Sequence, residues 1–123
     1  MPTNWTIDHN SRMLTAVAEG AVTRVELEDY LAAVVKAGTM SYRKLFDGRD
    51  ADVAMSDEEL IAIGARLRAY QATGPMGPLT IVVAGETTQG LARLFGALAA
   101  ADRAIKLFRE REPARRWIEA QPA

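Results

Sequence analysis

The sequence contains no cysteine, a single histidine and no excess of either charge. Without cysteine, disulfides, thiolate metal ligands and cysteine nucleophiles are excluded. The 15 basic and 16 acidic residues give a formal net charge of −1, so no global field favours nucleic acid or an anionic membrane. No apolar run approaches the ~18 residues of a membrane span. No basic segment with an apolar core opens the chain, as it would in a secretory signal. We therefore expect a cytoplasmic protein that does not bind nucleic acid.

The groups that usually carry catalysis are also missing. His9, the single histidine, falls in an expected turn, and no second histidine or carboxylate follows it at metal-ligand spacing. The segment Gly85–Gly90 has neither the Gly-Lys-Ser/Thr ending of a P-loop nor the glycine spacing of a dinucleotide fingerprint. No serine stands in a Gly-x-Ser-x-Gly setting. We therefore expect no metal, no cofactor and no enzymatic activity.

What the sequence does contain is an ordinary globular composition, with 49 % hydrophobic and 25 % charged residues over a length of 123. This length suits one domain, residues 1–123, with one core. Turn residues and apolar periodicity predict the order ββαβαβαβα. The strands are expected at Trp5–Asp8, Met13–Glu19, Tyr42–Asp47, Leu79–Ala84 and Ala104–Phe108, and the helices begin near Thr23, Ser56, Gly90 and Pro113.

Strands that alternate with helices require right-handed crossovers and a largely parallel sheet. We expect an α/β fold with a five-stranded, mostly parallel sheet and four helices, in which the first strand alone is antiparallel. Leu79–Ala84 is an uninterrupted apolar run between breakers and should be a central strand, buried on both faces. Gly20 is expected to end the second strand.

A connection of ten residues, Gly48–Asp57, follows the strand that ends at Asp47 and is expected to be an acidic loop. A capping box at Ser56 and Glu59 should begin the next helix. Open α/β sheets place their sites at such carboxyl-terminal loops, although a well-capped crossover without function is equally compatible with the pattern. We expect a partner-binding surface here, made of Asp47, Arg49, Asp50, Asp52, Ser56, Asp57 and Glu58.

The hairpin, the strand Tyr42–Asp47, the crossover into Ser56–Leu60 and the run Leu79–Ala84 together resemble the STAS-like domains related to the sporulation anti-anti-sigma factor. The resemblance covers nearly the whole chain and rests on the order of its elements. In anti-sigma antagonists, Asp-Ser-Ser-Gly at a helix start carries a serine that a kinase phosphorylates. Met55, Ser56 and Asp57 fall on its first three positions, and the glycine is absent.

The resemblance therefore implies a non-enzymatic regulatory module that lacks the phosphoacceptor, with Asp57 in the place of the phosphorylated serine. Its partner would be a regulatory kinase or another component of a sigma-factor pathway.

The same fold is similar to the CRAL-TRIO lipid carriers, which hold an apolar ligand between sheet and helices. Met40, Met55 and Met76 stand near expected loop ends and could line such a pocket, since methionine adapts to irregular apolar shapes. The alternative function is therefore a binder or carrier of a small apolar ligand or lipid, peripheral to membranes.

We also expect a homodimer. Consecutive right-handed crossovers put most helices on one face of the sheet. The other face, or the edge strand with Trp5 and Ile7, would then present an apolar patch that a second copy could cover.

Overall fold

The computed structural model describes residues 3–84, 89–99 and 103–122. The order is ββαβαβαβα, as expected from the sequence. The strands are β1 (Thr3–Asp8), β2 (Met13–Val22), β3 (Arg43–Val53), β4 (Leu79–Val82) and β5 (Ile105–Phe108). The helices are α1 (Arg24–Lys36), α2 (Asp57–Gln71), α3 (Gln89–Leu98) and α4 (Arg111–Glu119).

The five strands form one sheet in the order β1-β2-β3-β4-β5. β1 is antiparallel to β2, and every later neighbour is parallel, which confirms the expected topology. The hairpin turn is closed by Asp8, whose Oδ1 accepts hydrogen bonds from the amides of Asn10 and Ser11.

β4 lies inside the sheet, between β3 and β5, and its side chains are buried on both faces. This confirms the interior strand expected from the apolar run. The strand ends at Val82, and Ala84 is already exposed. Of the turn expected within Gly85–Gly90, residues 85–88 lie outside the described residues, and the second described range, 89–99, begins with α3.

The expected acidic loop after Asp47 is wrong, and so is the expected end of β2 at Gly20. β3 continues to Val53 and β2 to Val22, and the two pair with each other after a register shift between Val17 and Glu19. β4 pairs with β3 only as far as Asp47, so the added length is a two-stranded extension, here called the ribbon (19–22 and 50–53). Residues 19–22 have no apolar alternation and residues 50–53 alternate over only four positions, so each half becomes a strand because the other supplies its hydrogen-bond partners.

Three helices pack against one face of the sheet. Leu27, Leu31 and Val34 of α1 join Ile63 and Leu67 of α2 over the β2 side chains Leu14 and Ala16, and Leu94 and Leu98 of α3 pack against this cluster. The arrangement follows from crossovers that all step in one direction along the sheet.

Among the described elements, α4 is the one that covers the opposite face. Ala114 and Ile118 of α4 are fully buried against Leu45 and Val82. The rest of this face lies beside a polar groove lined by Thr6, Asp8 and Thr15, among others. Trp5 and Ile7 are half-buried and pack with the core under α1. Among the described residues, therefore, neither the open face nor β1 shows the apolar patch expected from the sequence, because the apolar positions of the edge strand face the helices.

Candidate functional site

A cavity with a mainly apolar lining lies between the sheet and the helices α1 and α3. It has a volume of about 70 Å³. Most of its lining is apolar, and the polar exceptions are Tyr30, Lys44, Asp52 and Arg103. The apolar lining includes Val22, Leu27, Leu31, Val34, Met40, Phe46, Val53, Met76, Leu79, Ile81, Val83, Leu94 and Leu98.

Lys44 projects from β3 into this apolar space with only 4 % of its surface exposed. Its Nζ donates to the backbone carbonyls of Met40 at 2.6 Å and Tyr42 at 2.8 Å. Burial, and secondarily the charge of Arg103, lowers the pKa of Lys44 to about 7. The charged form is therefore held near neutral pH by two carbonyl dipoles and by no carboxylate of the described chain.

Arg103 precedes β5 and reaches the same cavity. Its Nε donates to the carbonyl of Gly77 at 2.8 Å, which fixes the plane of the guanidinium. Burial lowers the pKa of Arg103 to about 10, although the group remains charged at neutral pH. Its buried second terminal nitrogen, NH2, has no hydrogen-bond partner in the structure as described.

Tyr30 closes the cavity from α1. Its ring meets Trp5 and Phe46 edge-on, at centroid distances of 5.3 and 5.9 Å. Its hydroxyl is buried and, within the three described ranges, unpartnered. Burial raises the pKa of Tyr30, against the opposing charge of Arg103. The hydroxyl is thus a neutral donor that senses the charge of Arg103 and lines the same cavity as Lys44.

Two of the three methionines proposed as ligand-lining residues line this cavity. Met40 and Met76 belong to the connections before β3 and before β4, and both form part of its wall. Met55 is half-buried against the same hydrophobic core but does not belong to the described lining.

The proposed partner-binding residues are not brought together. Asp47 is 4 % exposed and lies on the α4 face of β3, where it accepts from Arg49 at 2.8 and 3.0 Å and from Arg111 at 3.3 Å. Burial acts to raise the pKa of Asp47, but Arg49, with Arg111, outweighs it and keeps that pKa below its usual value. Asp47 therefore joins β3 to the start of α4 and does not belong to an exposed surface.

The other proposed partner residues are exposed in two separate places. Arg49, Asp50 and Asp52 lie on or beside the ribbon, where Asp52 also lines the cavity. Ser56, Asp57 and Glu58 begin α2. Ser56 accepts from the amide of Glu59 at 3.2 Å, and Glu59 accepts from the amide of Ser56 at 3.0 Å, which confirms the capping box.

Asp57 lies at one end of a groove between α2 and α3, the α2–α3 groove (Asp57, Leu60, Ile61, Gly64, Arg68, Arg93, Gly96 and Ala97). It pairs with Arg93 of α3 at 2.7 Å.

Reasoning from the sequence missed the polar residues of the cavity. Lys44 could have been identified from the sequence, because it is a cation between Arg43 and Leu45 in a strand that was expected to be buried. Tyr30 lies on the apolar stripe of α1, so the burial of its ring could be predicted, but the surroundings of its hydroxyl could not. Arg103 lies between elements and is brought to Lys44 only by the crossover into β5.

The architecture is that of the STAS-like, or SpoIIAA-like, α/β domains. A solved structure with this fold, described as an uncharacterized protein of the DUF3478 family from Shewanella loihica PV-4, superposes with a TM-score of 0.61. It is 17 % identical, and the match covers 94 % of this chain and 93 % of that one. No family model and no curated protein matches the sequence. The likeness establishes the fold.

The helices that the structure describes are too short or too polar to cross a bilayer.

Proposed function

We propose that this protein is a non-catalytic binder or carrier of a small apolar ligand, which it holds in the cavity between α1, α3 and the sheet. The observation that supports the proposal is the cavity itself. Protein interiors are close-packed, and voids larger than a water molecule are few. A cavity of about 70 Å³ with a mainly apolar lining, at the centre of so small a domain, is therefore a feature to be explained.

The size of the cavity limits the ligand. A water molecule needs on the order of 10–15 Å³ of such volume, so the cavity accommodates roughly five to seven heavy atoms. Cavities lined by Leu, Ile and Phe take up small apolar molecules, and most of the lining of this cavity is apolar in the same way. A larger ligand requires the walls to move.

Two walls are suited to such movement. Met40 and Met76 lie in connections, outside the regular elements, and their unbranched side chains repack at low cost. The ribbon contributes Val22 and Val53 beyond the end of β4, where only one neighbouring strand supports each half.

Native mass spectrometry of the purified protein, followed by titration with 1-hexanol under NMR observation, tests the proposal. We expect a bound small molecule, or saturable shifts of the resonances of Leu31, Val34 and Ile81. Ala51 lines the cavity and Ala54 is exposed just beyond β3. Ala51→Phe should therefore weaken uptake at least several-fold, while Ala54→Phe should not. No uptake by the wild-type protein, or equal uptake by both variants, would overturn the proposal.

A second candidate function is a regulatory module that binds a protein partner through the α2–α3 groove. One observation favours it: Ile61 is 69 % exposed beside the small residues Gly64 and Gly96. A large apolar side chain at the rim of a shallow groove is typical of an interaction anchor. The partner would meet the same end of α2 that carries Ser56 and Asp57.

Chemical cross-linking in cells tests this function with the variant Ile61→Arg. Val25→Arg is the control, because Val25 is 67 % exposed on a different helix. The module hypothesis predicts loss of a specific adduct with Ile61→Arg alone. Retention of every adduct in both variants would contradict it.

A further inference from the structure

We infer that the ligand of the cavity is an apolar monocarboxylate, whose carboxylate is held by Arg103 and Tyr30 with Lys44 beside them. This inference rests on the proposed function and names the chemical class of its ligand. It starts from two buried polar groups of the cavity that have no hydrogen-bond partner in the described chain.

The first step is the unpartnered donors. The Tyr30 hydroxyl and the NH2 nitrogen of Arg103 are buried, and neither has a hydrogen-bond partner in the described structure. Tyr30 is only 5 % exposed. Buried donors without partners cost folding free energy, and they are uncommon in native proteins unless they serve a site.

The second step is charge. Lys44 and Arg103 both line the cavity, and no ion pair of the described chain involves either of them. The acidic residue in the described lining is Asp52, which is exposed on the ribbon. It lies eight positions beyond Lys44 on β3, roughly 25 Å of extended strand. Two cations without a nearby carboxylate favour an anionic group.

The third step is proximity. Tyr30, Lys44 and Arg103 all line the one cavity, and the charge of Arg103 acts on the pKa of each of the other two. Arg103 is held by Gly77 and Lys44 by Met40 and Tyr42, so both cations are fixed before any ligand arrives. Such preorganisation favours binding because little side-chain entropy remains to be lost.

The fourth step is polarity along the sheet. Lys44 pairs with Leu79 at the amino end of β4, and Arg103 precedes β5 at the same end. The lining residues Val53, Val83 and Val22 lie toward the carboxyl ends of their strands. A ligand with one anionic end and an apolar tail matches this order. Hexanoate has eight heavy atoms, slightly more than the cavity holds, so its uptake requires a small movement of Met40 or Met76.

The test compares hexanoate with 1-hexanol, which has a similar tail and no charge, by NMR titration of the full-length protein at pH 6.5. We expect hexanoate to bind at least tenfold more tightly, because a hydrogen bond to a charged group contributes far more than a neutral one. Hexylamine should not bind.

Two variants locate the effect. Tyr30→Phe removes one oxygen and keeps the edge-on ring contacts, so the protein should fold normally while hexanoate affinity falls about tenfold and hexanol affinity is unchanged. Arg103→Met should lower hexanoate affinity about tenfold to a hundredfold, whereas Arg116→Met, on the exposed side of α4, should have no effect.

The outcomes separate the two proposals. Equal binding of hexanol and hexanoate, or wild-type hexanoate affinity in both Tyr30→Phe and Arg103→Met, would overturn the carboxylate assignment and leave the apolar cavity standing. Failure of hexanol, hexanoate and the native-mass experiment alike would overturn both.

Discussion

The most informative single residue is Lys44, a cation on the covered face of an interior strand. Its aliphatic stem packs among apolar side chains, and its ammonium satisfies two carbonyls of the connection before β3. Burial of a charge is tolerated only where such partners exist, and the remaining cost appears as a lowered pKa. Lys44 therefore lowers the stability of the fold at a position where leucine is the usual residue.

The pH dependence of folding should report this cost. The pKa of Lys44 is about 7 in the folded protein and near its ordinary 10.5 when unfolded. Between these values the unfolded chain binds the proton that the folded chain has released, so raising the pH favours the folded state. The free energy of unfolding should therefore rise between pH 7 and about 10, by at most about 1.4 kcal/mol per pH unit from this group.

Urea denaturation at pH 7, 8, 9 and 10 measures the effect. Lys44→Met should abolish the rise, and Lys36→Met, an exposed lysine at the end of α1, should retain it. Two other cavity groups, Tyr30 and Arg103, affect this pH dependence only near and above pH 10, because the pKa of Tyr30 is raised and that of Arg103 is about 10. Identical profiles for the wild type and Lys44→Met would show that Lys44 is not responsible.

Gly77 is required by close approach and not by backbone conformation. A Cβ atom at this position would lie 2.1 Å from the carbonyl oxygen of Tyr42 and 2.4 Å from that of Ser41. Both obstacles are backbone atoms. The amide of Gly77 also donates to Met40 at 2.9 Å.

Gly77→Ala should therefore cost about 1–3 kcal/mol of stability, as overpacking usually does, and should disturb the carbonyl that holds Arg103. Gly96→Ala is the matched control in α3, since its Cβ would meet nothing within 4 Å. That variant should gain up to about 1 kcal/mol. Thermal unfolding distinguishes them, and equal melting temperatures would contradict the close-approach argument.

At the scale of elements, the start of α2 shows how strongly local chemistry fixes a boundary. Ser56 and Glu59 satisfy each other's backbone amides, and Asp57 and Glu58 add negative charge at the positive end of the helix dipole. The Ser56 hydroxyl therefore has a structural role as a cap.

Ser56→Ala should destabilise the protein by about 1 kcal/mol, whereas Ser56→Asp, which keeps a capping acceptor, should cost much less. Chemical denaturation measures both. We also predict that Ser56 is not a phosphoacceptor, because Asp57 and Glu58 would repel the added phosphate. Stoichiometric phosphorylation of Ser56 in cells, found by mass spectrometry, would refute this.

The ribbon shows the opposite case, in which an element depends on its partner. Residues 19–22 and 50–53 carry glycine, alanine and acids beside one valine each, a composition of low strand propensity. They form strands because β2 and β3 are already paired in parallel below them, and the ladder continues into the ribbon after the register shift between Val17 and Glu19.

At the scale of the whole molecule, helix distribution leaves the two faces of the sheet unequal. Among the described elements, α1, α2 and α3 cover one face, while α4 packs mainly on β3, β4 and β5 of the other. β1 and β5 are the sheet edges. A homodimer remains a prediction, and its surface would be the β1 edge and the polar groove beside it, since the apolar side chains Trp5 and Ile7 pack inward.

Light scattering across a dilution series tests this prediction. We expect the mass of two chains, with two-fold symmetry, at high micromolar concentration. Thr6→Pro should disrupt pairing at the edge, because proline removes a backbone donor, while Thr73→Pro, outside the sheet, should not. A monomer throughout the series would exclude the dimer.

The sequence by itself determined the order of elements, the antiparallel hairpin, the interior position of β4 and the capping box of α2. Each depends on near neighbours in the chain: apolar periodicity, turn residues, or a hydroxyl and a carboxylate three positions apart. Of the three methionines proposed from their place near loop ends, Met40 and Met76 line the cavity and Met55 does not.

Only the tertiary structure decided the ribbon, the burial of Asp47 and the composition of the cavity. Asp47 meets Arg111 across 64 positions, and Tyr30, Lys44 and Arg103 come from three separate elements. Contacts of this kind are set by the crossovers and by the register between strands, because chain segments far apart in sequence meet only after the sheet has formed. Local sequence patterns carry no information about such long-range contacts, and the polar part of the candidate site is formed by these contacts.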